Sequence, residues 1–211
     1  MVRFVSFEGG DGTGKSTQIH ALENYLIERG RACLVTREPG GTSLGKLLRQ
    51  VLLEVSDREI APATELYLYL ADRAQHVSEV IRPALAAGKI VLCDRYTDST
   101  LAYQGYGRGI DLKLLGRFND VADGGVRPDL TILLDCPVAV GLARTSRRPS
   151  AEGRPGQDRF EREAYEFHEK IRAGFLAMAG AEPVRFRVVD STRPREEVTR
   201  EIQQIADREI L

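Results

Sequence analysis

Five short apolar runs punctuate the chain, at Phe4 to Phe7, Ala32 to Thr36, Ile90 to Cys93, Leu130 to Leu134 and Val184 to Val189. Each is rich in β-branched or aromatic residues and apolar at consecutive positions, the pattern of a strand buried on both faces. Between and after them, apolar residues recur at helical spacing. This predicts helices over Ser16 to Arg29, Ser43 to Leu53, Thr64 to Ala87, Leu112 to Ala122, Ala139 to Arg147, Arg159 to Met178 and Arg195 to Ile210. Strands alternating with helices predict a three-layer α/β/α sandwich around a five-stranded parallel sheet. Ligands of such sheets gather at the carboxyl ends of the strands. No internal repeat interrupts the pattern, so residues 1–211 read as one domain. One stretch, Arg147-Arg148-Pro149-Ser150-Ala151-Glu152-Gly153-Arg154-Pro155-Gly156-Gln157, lacks apolar periodicity. Residues 145–157 are therefore either an idle surface loop or a lid, and composition leaves both open.

The first strand runs into Phe7-Glu8-Gly9-Gly10-Asp11-Gly12-Thr13-Gly14-Lys15-Ser16-Thr17, with helical periodicity immediately after it. Strand, glycine turn and helix are the setting that a phosphate-binding P-loop needs. Glycines let backbone N–H groups curl around an anion, and the helix N-terminus adds partial positive charge. Lys15 is expected to reach the β- and γ-phosphates and the Ser16 hydroxyl to hold Mg²⁺.

Composition narrows the setting. The 211 residues carry a net charge of −1, which gives no global drive toward nucleic acid or anionic membrane. No apolar run is long enough to span a bilayer, and the chain enters a strand directly, without the pattern of a signal peptide. Cys33, Cys93 and Cys136 are isolated in apolar runs, as reduced core thiols would be. A cytoplasmic protein is expected.

The other strand ends carry further chemistry. Thr36-Arg37-Glu38-Pro39-Gly40-Gly41-Thr42 follows the second strand, and the Arg37 fork suits two-point contact with a phosphate, although a Pro-Gly turn with a solvated arginine has the same sequence. The Glu38–Pro39 bond is open to either isomer. Asp94 closes the third strand, where a carboxylate helps to position Mg²⁺, and Arg95 can offset charge between two phosphate groups; an Asp–Arg surface pair is the alternative. Asp98-Ser99-Thr100-Leu101-Ala102-Tyr103-Gln104-Gly105-Tyr106-Gly107-Arg108-Gly109 offers hydroxyls, an amide and tyrosines for a sugar or base, or serves as a structural glycine-rich loop. Tyr69 and Arg73 stand four apart on one helical face, one able to stack on a base and the other to donate to it. A core tyrosine beside a snorkelling arginine has the same spacing.

Taken in order, these segments, with Asp72-Arg73, Pro128-Asp129-Leu130-Thr131 and Asp158-Arg159-Phe160-Glu161, closely resemble the thymidylate kinases, which phosphorylate dTMP to dTDP. The resemblance implies that Gly9, Gly10, Asp11, Gly12, Thr13, Gly14, Lys15, Ser16 and Thr17 surround the phosphates of ATP. It implies that Arg37 and Arg95 hold the dTMP phosphate, with Asp11 near the acceptor's 3′-hydroxyl. Tyr69 would stack on thymine and Arg73 would donate to a thymine carbonyl. Ser99 would line the dTMP site, with Thr100 and Gln104 on the base edge and Tyr103 crowding the 2′ side of the sugar. Glu161 would help Ser16 and Asp94 to organise Mg²⁺, or would help to organise the phosphates. The P-loop lacks the basic residue that some members carry among its variable positions, so the chain is similar to the bacterial type in which lid arginines supply that charge. Arg147, Arg148 and Arg154 are the candidates, and Arg144 would pack against adenine. A homodimer packed through helices is also implied.

Two other readings stay open: a related kinase acting on another nucleoside or nucleoside monophosphate, and a P-loop switch that only binds nucleotide. The switch reading is weakened because the chain has no Asn-Lys-x-Asp segment, and its sole Asp-x-x-Gly, Asp11 to Gly14, lies inside the P-loop.

Overall fold

A computed structural model of the chain describes residues 2–54, 59–146, 159–160 and 163–211. Among these, strands β1 (Phe4–Glu8), β2 (Cys33–Arg37), β3 (Ile90–Asp94), β4 (Leu130–Asp135) and β5 (Phe186–Asp190) form one sheet in the order β2-β3-β1-β4-β5. Every pairing is parallel. Successive side chains of a strand point to opposite faces, which explains the unbroken apolar runs. Val5, Phe7, Leu92, Ile132 and Leu134 face one side. There they pack on Ile19, Leu22 and Leu26 of α1 (Lys15–Ile27) and on Val198, Ile202 and Ile205 of α9 (Arg195–Glu209). Phe4, Val91 and Cys93 face the other side and meet Val77 and Ile81, while Leu133 and Phe186 meet Ile171 and Phe175 of α8 (Tyr165–Ala181).

α2 (Ser43–Leu53) coincides with its predicted span, started by Thr42, whose side chain accepts from the Gly45 N–H. The helix predicted over Thr64 to Ala87 is compound. α3 (Pro62–His76) begins with proline in its first turn, widens into a π-helical turn at Val77–Ile81, and continues as α4 (Arg82–Ala86). Pro83 has no N–H to give to a regular ladder, which accounts for the adjustment just before it. The glycine-rich stretch after β3 is helical: α5 (Thr97–Thr100) runs into π-helical turns at Leu101–Gly107. α6 (Leu112–Asp123) and α7 (Val138–Thr145) match expectation closely. α8 starts at Tyr165, six positions later than predicted, because Arg159 and Phe160 form a turn in which Arg159 bonds Leu52 O and Glu65 and Phe160 lines the cleft described below. β5 begins at Phe186, since Val184 is exposed.

The sheet order reverses at β1, the strand that feeds the glycine loop, and a crevice opens at that point. The loop is wedged against α7. A Cβ on Gly12 would lie 2.0 Å from the Gly141 carbonyl oxygen, and Gly12 has φ +73°. Gly9 has φ +133° and a Cβ there would lie 2.3 Å from the Leu134 carbonyl oxygen. Left-handed backbone and backbone contact together exclude any side chain. We expect Gly12→Ala to lower the melting temperature of the ligand-free chain by on the order of 5 °C, from strain of about 1–3 kcal/mol. An unchanged calorimetric melt would show that the loop does not need this approach.

Candidate active site

The loop closes onto its own lysine. Gly14, left-handed at φ 91°, precedes α1. Lys15 Nζ donates to the Gly9 carbonyl at 3.0 Å and the Gly10 carbonyl at 2.8 Å. Thr13 Oγ1 donates to Gly10 O at 3.0 Å. Burial, and then the Arg95 charge, push the Lys15 ammonium down to about 8. A phosphate entering the loop would replace the carbonyl partners with a full negative charge and restore the proton.

Arg95 and Lys15 converge on one atom, since both donate to the Gly9 carbonyl oxygen. Arg95 takes φ 70°, the one described non-glycine residue with positive φ. Its Nη1 donates to Gly9 O at 3.0 Å and to Ser99 Oγ at 3.3 Å, and its Nη2 donates to Asp11 Oδ1 at 2.7 Å. The guanidinium carbon lies 5.0 Å from the Tyr103 ring centroid, and Tyr103 Oη donates to Asp11 Oδ2 at 3.3 Å. Burial opposes the charge of Arg95, but Tyr103, Asp11, Asp94 and Glu8 outweigh it and raise its pKa. Burial likewise opposes the charge of Asp11, and Arg95 with Lys15 overcomes it, holding the carboxyl below its ordinary range. Beneath them Glu8 accepts from Tyr96 N–H at 2.8 Å and Ser99 Oγ at 2.6 Å. Burial, reinforced by the Asp98 charge, pushes Glu8 up to about 8. At the mouth, Ser16 Oγ donates to Asp94 Oδ2 at 3.1 Å.

The crevice widens into an open cleft of about 980 Å³, counting space continuous with solvent. Arg37, exposed at the end of β2, stands on its rim, in register with Asp94 of β3. Arg73 lies deeper and is only 1% exposed. Its Nε donates to Glu38 Oε2 at 2.9 Å, and its Nη1 donates to Thr100 Oγ1 at 2.9 Å and Asn119 Oδ1 at 2.6 Å. The same Glu38 accepts from His76 Nδ1 at 2.9 Å, which leaves His76 Nε2 to take the Thr36 hydroxyl at 2.6 Å. The Glu38–Pro39 peptide bond is cis. Gln104 Nε2 donates to Glu65 Oε1 at 2.8 Å. An aromatic wall closes the far side: Phe160 lies 5.5 Å from Tyr103 and 6.4 Å from Tyr69, centroid to centroid.

Asp11, Gly12, Gly14, Lys15, Ser16, Arg37, Tyr69, Arg73, Asp94, Arg95, Ser99, Thr100, Tyr103 and Gln104 all line this cleft. Gly9, Gly10 and Thr13 instead back onto β4 and α7, and Thr17 is exposed on α1. Arg144 lies outside the cleft lining, where its Nη2 donates to Ser191 O at 3.0 Å. Arg147, Arg148, Arg154 and Glu161 lie outside the described residues. The sequence reading assigned no role to Glu38, Arg49, Leu53, Tyr96, Thr145 or Phe160, which also line the cleft. Glu38 and Phe160 stood inside motifs already singled out. Arg49 and Leu53 sit on an ordinary amphipathic helix and give no local signal.

A glycine loop with a buried lysine at the sheet's switch point, facing a second basic cleft, defines a P-loop phosphotransferase with room for an acceptor beside the donor. The comparisons make this particular. The Thymidylate kinase family model matches residues 7–202, and the chain belongs to that family. It is 54% identical over 196 residues to a thymidylate kinase of Desulfovibrio desulfuricans, covering 92% of this chain and 90% of the relative. It is 55% identical over 190 residues to one from Geobacter sulfurreducens, covering 90% and 89%. The crystal structure of thymidylate kinase from Ehrlichia chaffeensis superimposes with a TM-score of 0.76 at 33% identity, covering 96% of this chain and 97% of that one.

The Lys15 environment has a titration consequence. With its ammonium pushed down to about 8, nucleotide affinity should be flat below that pH and fall as pH rises through it, because binding then requires proton uptake. The loss should approach about tenfold per pH unit. Calorimetric titration with ATP across this range, against Lys15→Met, checks it. A Lys15→Met profile that keeps the same slope would assign the proton to Glu8.

Proposed function

We propose that the chain transfers the γ-phosphoryl group of ATP to dTMP, giving dTDP and ADP, with the residue roles that follow. Family membership supports the reaction. The observation that carries the geometry is the Arg95 guanidinium, which donates to Gly9 O at 3.0 Å and Asp11 Oδ1 at 2.7 Å on the donor loop and to Ser99 Oγ at 3.3 Å beside the proposed acceptor site. Lys15 and the loop amides bind the donor phosphates; Arg37 and Arg95 bind the acceptor phosphate. The acceptor is already a phosphate oxygen, ionised at neutral pH, so the step needs alignment and charge neutralisation rather than a general base. Thymine rests between Tyr69, Phe160 and the Arg73–Thr100–Gln104 edge. Tyr103, pinned by Asp11, closes the 2′ side of the sugar.

Ser16 Oγ and Asp94 Oδ2, 3.1 Å apart, fit Mg²⁺, a hard cation that takes oxygen donors and keeps water and phosphate ligands for the rest. Among the described residues there is no cluster of three or more His, Cys, Asp or Glu that could hold a metal. That suits an ion shared with substrate phosphates, and Glu161 is the proposed further ligand. Bound there, Mg²⁺ neutralises charge on the phosphates. Arg148 and Arg154, in a lid over 145–157, are proposed to complete the cationic surround and to exclude water.

The compartment we propose is the cytoplasm, supported by free Cys33, Cys93 and Cys136; no described helix is long and apolar enough to cross a membrane. The assembly we propose is a homodimer. Leu44, Leu47 and Val51 on one face of α2, with Leu114 and Val121 on α6, are exposed apolar side chains that a second copy would cover. Sedimentation should give a dimer that Leu47→Glu shifts toward monomer; a monomeric wild type would remove the proposal.

Acceptor dependence tests the chemistry. ADP release from ATP and Mg²⁺ should require dTMP and be slower with dUMP, CMP, UMP or AMP. Lys15→Ala and Arg95→Ala should each cost about 10²–10³-fold in turnover while the melt is retained. ADP release without any acceptor, or faster release with another base, would overturn the reading.

A further inference from the structure

Glu65 is fully buried at 0% exposure, in the first turn of α3, and lines no part of the cleft. Its Oε2 accepts from Arg159 Nη2 at 2.7 Å and from Arg108 Nη2 at 3.3 Å. Its Oε1 accepts from Arg108 Nε at 3.4 Å and from Gln104 Nε2 at 2.8 Å. A carboxylate between two guanidinium groups offers only lone pairs, so the group of Gln104 that faces it must be the NH₂. That fixes the amide's rotation, which is otherwise free to turn over. Gln104 is 1% exposed and lines the cleft, so the amide atom left for a ligand is the carbonyl oxygen. Arg73 brings only donors to the same surface.

We propose that Glu65 is a positioning residue that sets the hydrogen-bond polarity of the base site, presenting an acceptor at Gln104 beside the donor at Arg73. The inference rests on the reading that a base lies against Gln104. A donor next to an acceptor complements the 4-carbonyl and N3–H of thymine. It opposes the 4-amino group and bare N3 of a cytosine edge, which would leave donor facing donor and acceptor facing acceptor. Selectivity on this edge therefore originates in a side chain that never touches the substrate.

The probe is 5-methyl-dCMP, which keeps the methyl group and sugar phosphate of dTMP and changes only that edge. Wild-type turnover of dTMP is measured first; its absence would refute the kinase reading, not this one. In Glu65→Gln the new amide can turn over together with that of Gln104. The ratio of kcat/KM for dTMP over 5-methyl-dCMP should then fall by roughly tenfold or more, chiefly through KM. Glu65→Asp keeps an acceptor-only group and should keep the ratio even where both rates decline. Arg108→Gln weakens the ion pairs but leaves the Gln104 contact, and should also keep it. An unchanged ratio in folded Glu65→Gln overturns the proposal, as does an equal loss in Arg108→Gln. If Glu65→Gln does not fold, a folded Glu65→Asp that loses the ratio overturns it equally.

Discussion

The site depends on where one guanidinium is held. Arg95 follows Asp94 at the end of β3, and its left-handed backbone at φ 70° turns the chain into α5 while the side chain reaches the glycine loop. Such a conformation costs a non-glycine residue about 1–3 kcal/mol. The return is a cation bonded to Gly9 O and Asp11 on one side and Ser99 on the other. Arg95 and Lys15 repel each other, and the pKa of Lys15 drops while that of Arg95 does not. Tyr103 and Asp11 shield the arginine, whereas the lysine donates only to loop carbonyls, and the charges of Asp94, Asp11 and Glu8 do not offset its burial. The cleft thus keeps one fixed cation and one whose charge anionic ligands would restore.

Beneath it lies a second constraint that builds shape more than stability. Arg73 and Glu38 are almost wholly buried, with Nε–Oε2 at 2.9 Å. Desolvating both charges consumes most of their attraction, so the pair adds little net stability, yet removing one partner would cost about 3–5 kcal/mol. Its effect is geometric. Glu38 binds Arg73 and His76 together, and Asp72 Oδ1 accepts the Gly40 N–H at 3.0 Å, so the turn bearing Arg37 is tied to α3. The rim and the floor of the cleft are one unit.

Much of this was legible from residue order. The central strands β1, β3 and β4 are buried on both faces and so continuously apolar in the sequence, and all five strands emerged within two residues of the observed ends. The loop and the strand-end charges were legible because a parallel sheet puts its carboxyl ends together without any knowledge of packing. What was not legible depends on tertiary choice. The glycines at 105 and 107 look like loop residues, yet they lie in helical turns, and Leu112 and Phe167 approach closely enough there to exclude a side chain. Phe160 fits a helical period, but the cleft takes it as a wall and α8 starts later. Glu65 reads as an unremarkable helix-start carboxylate, and only the fold brings Gln104, Arg108 and Arg159 to it.

The account turns on donor and acceptor phosphates sharing one crevice that both Lys15 and Arg95 line. The most direct test is calorimetric competition with an adenosine–thymidine dinucleotide joined through an oligophosphate. A single molecule bound per chain, displacing both ATP and dTMP, is the result expected. A ligand that displaces only one of the two, or binds no more tightly than either nucleotide alone, would contradict the shared crevice.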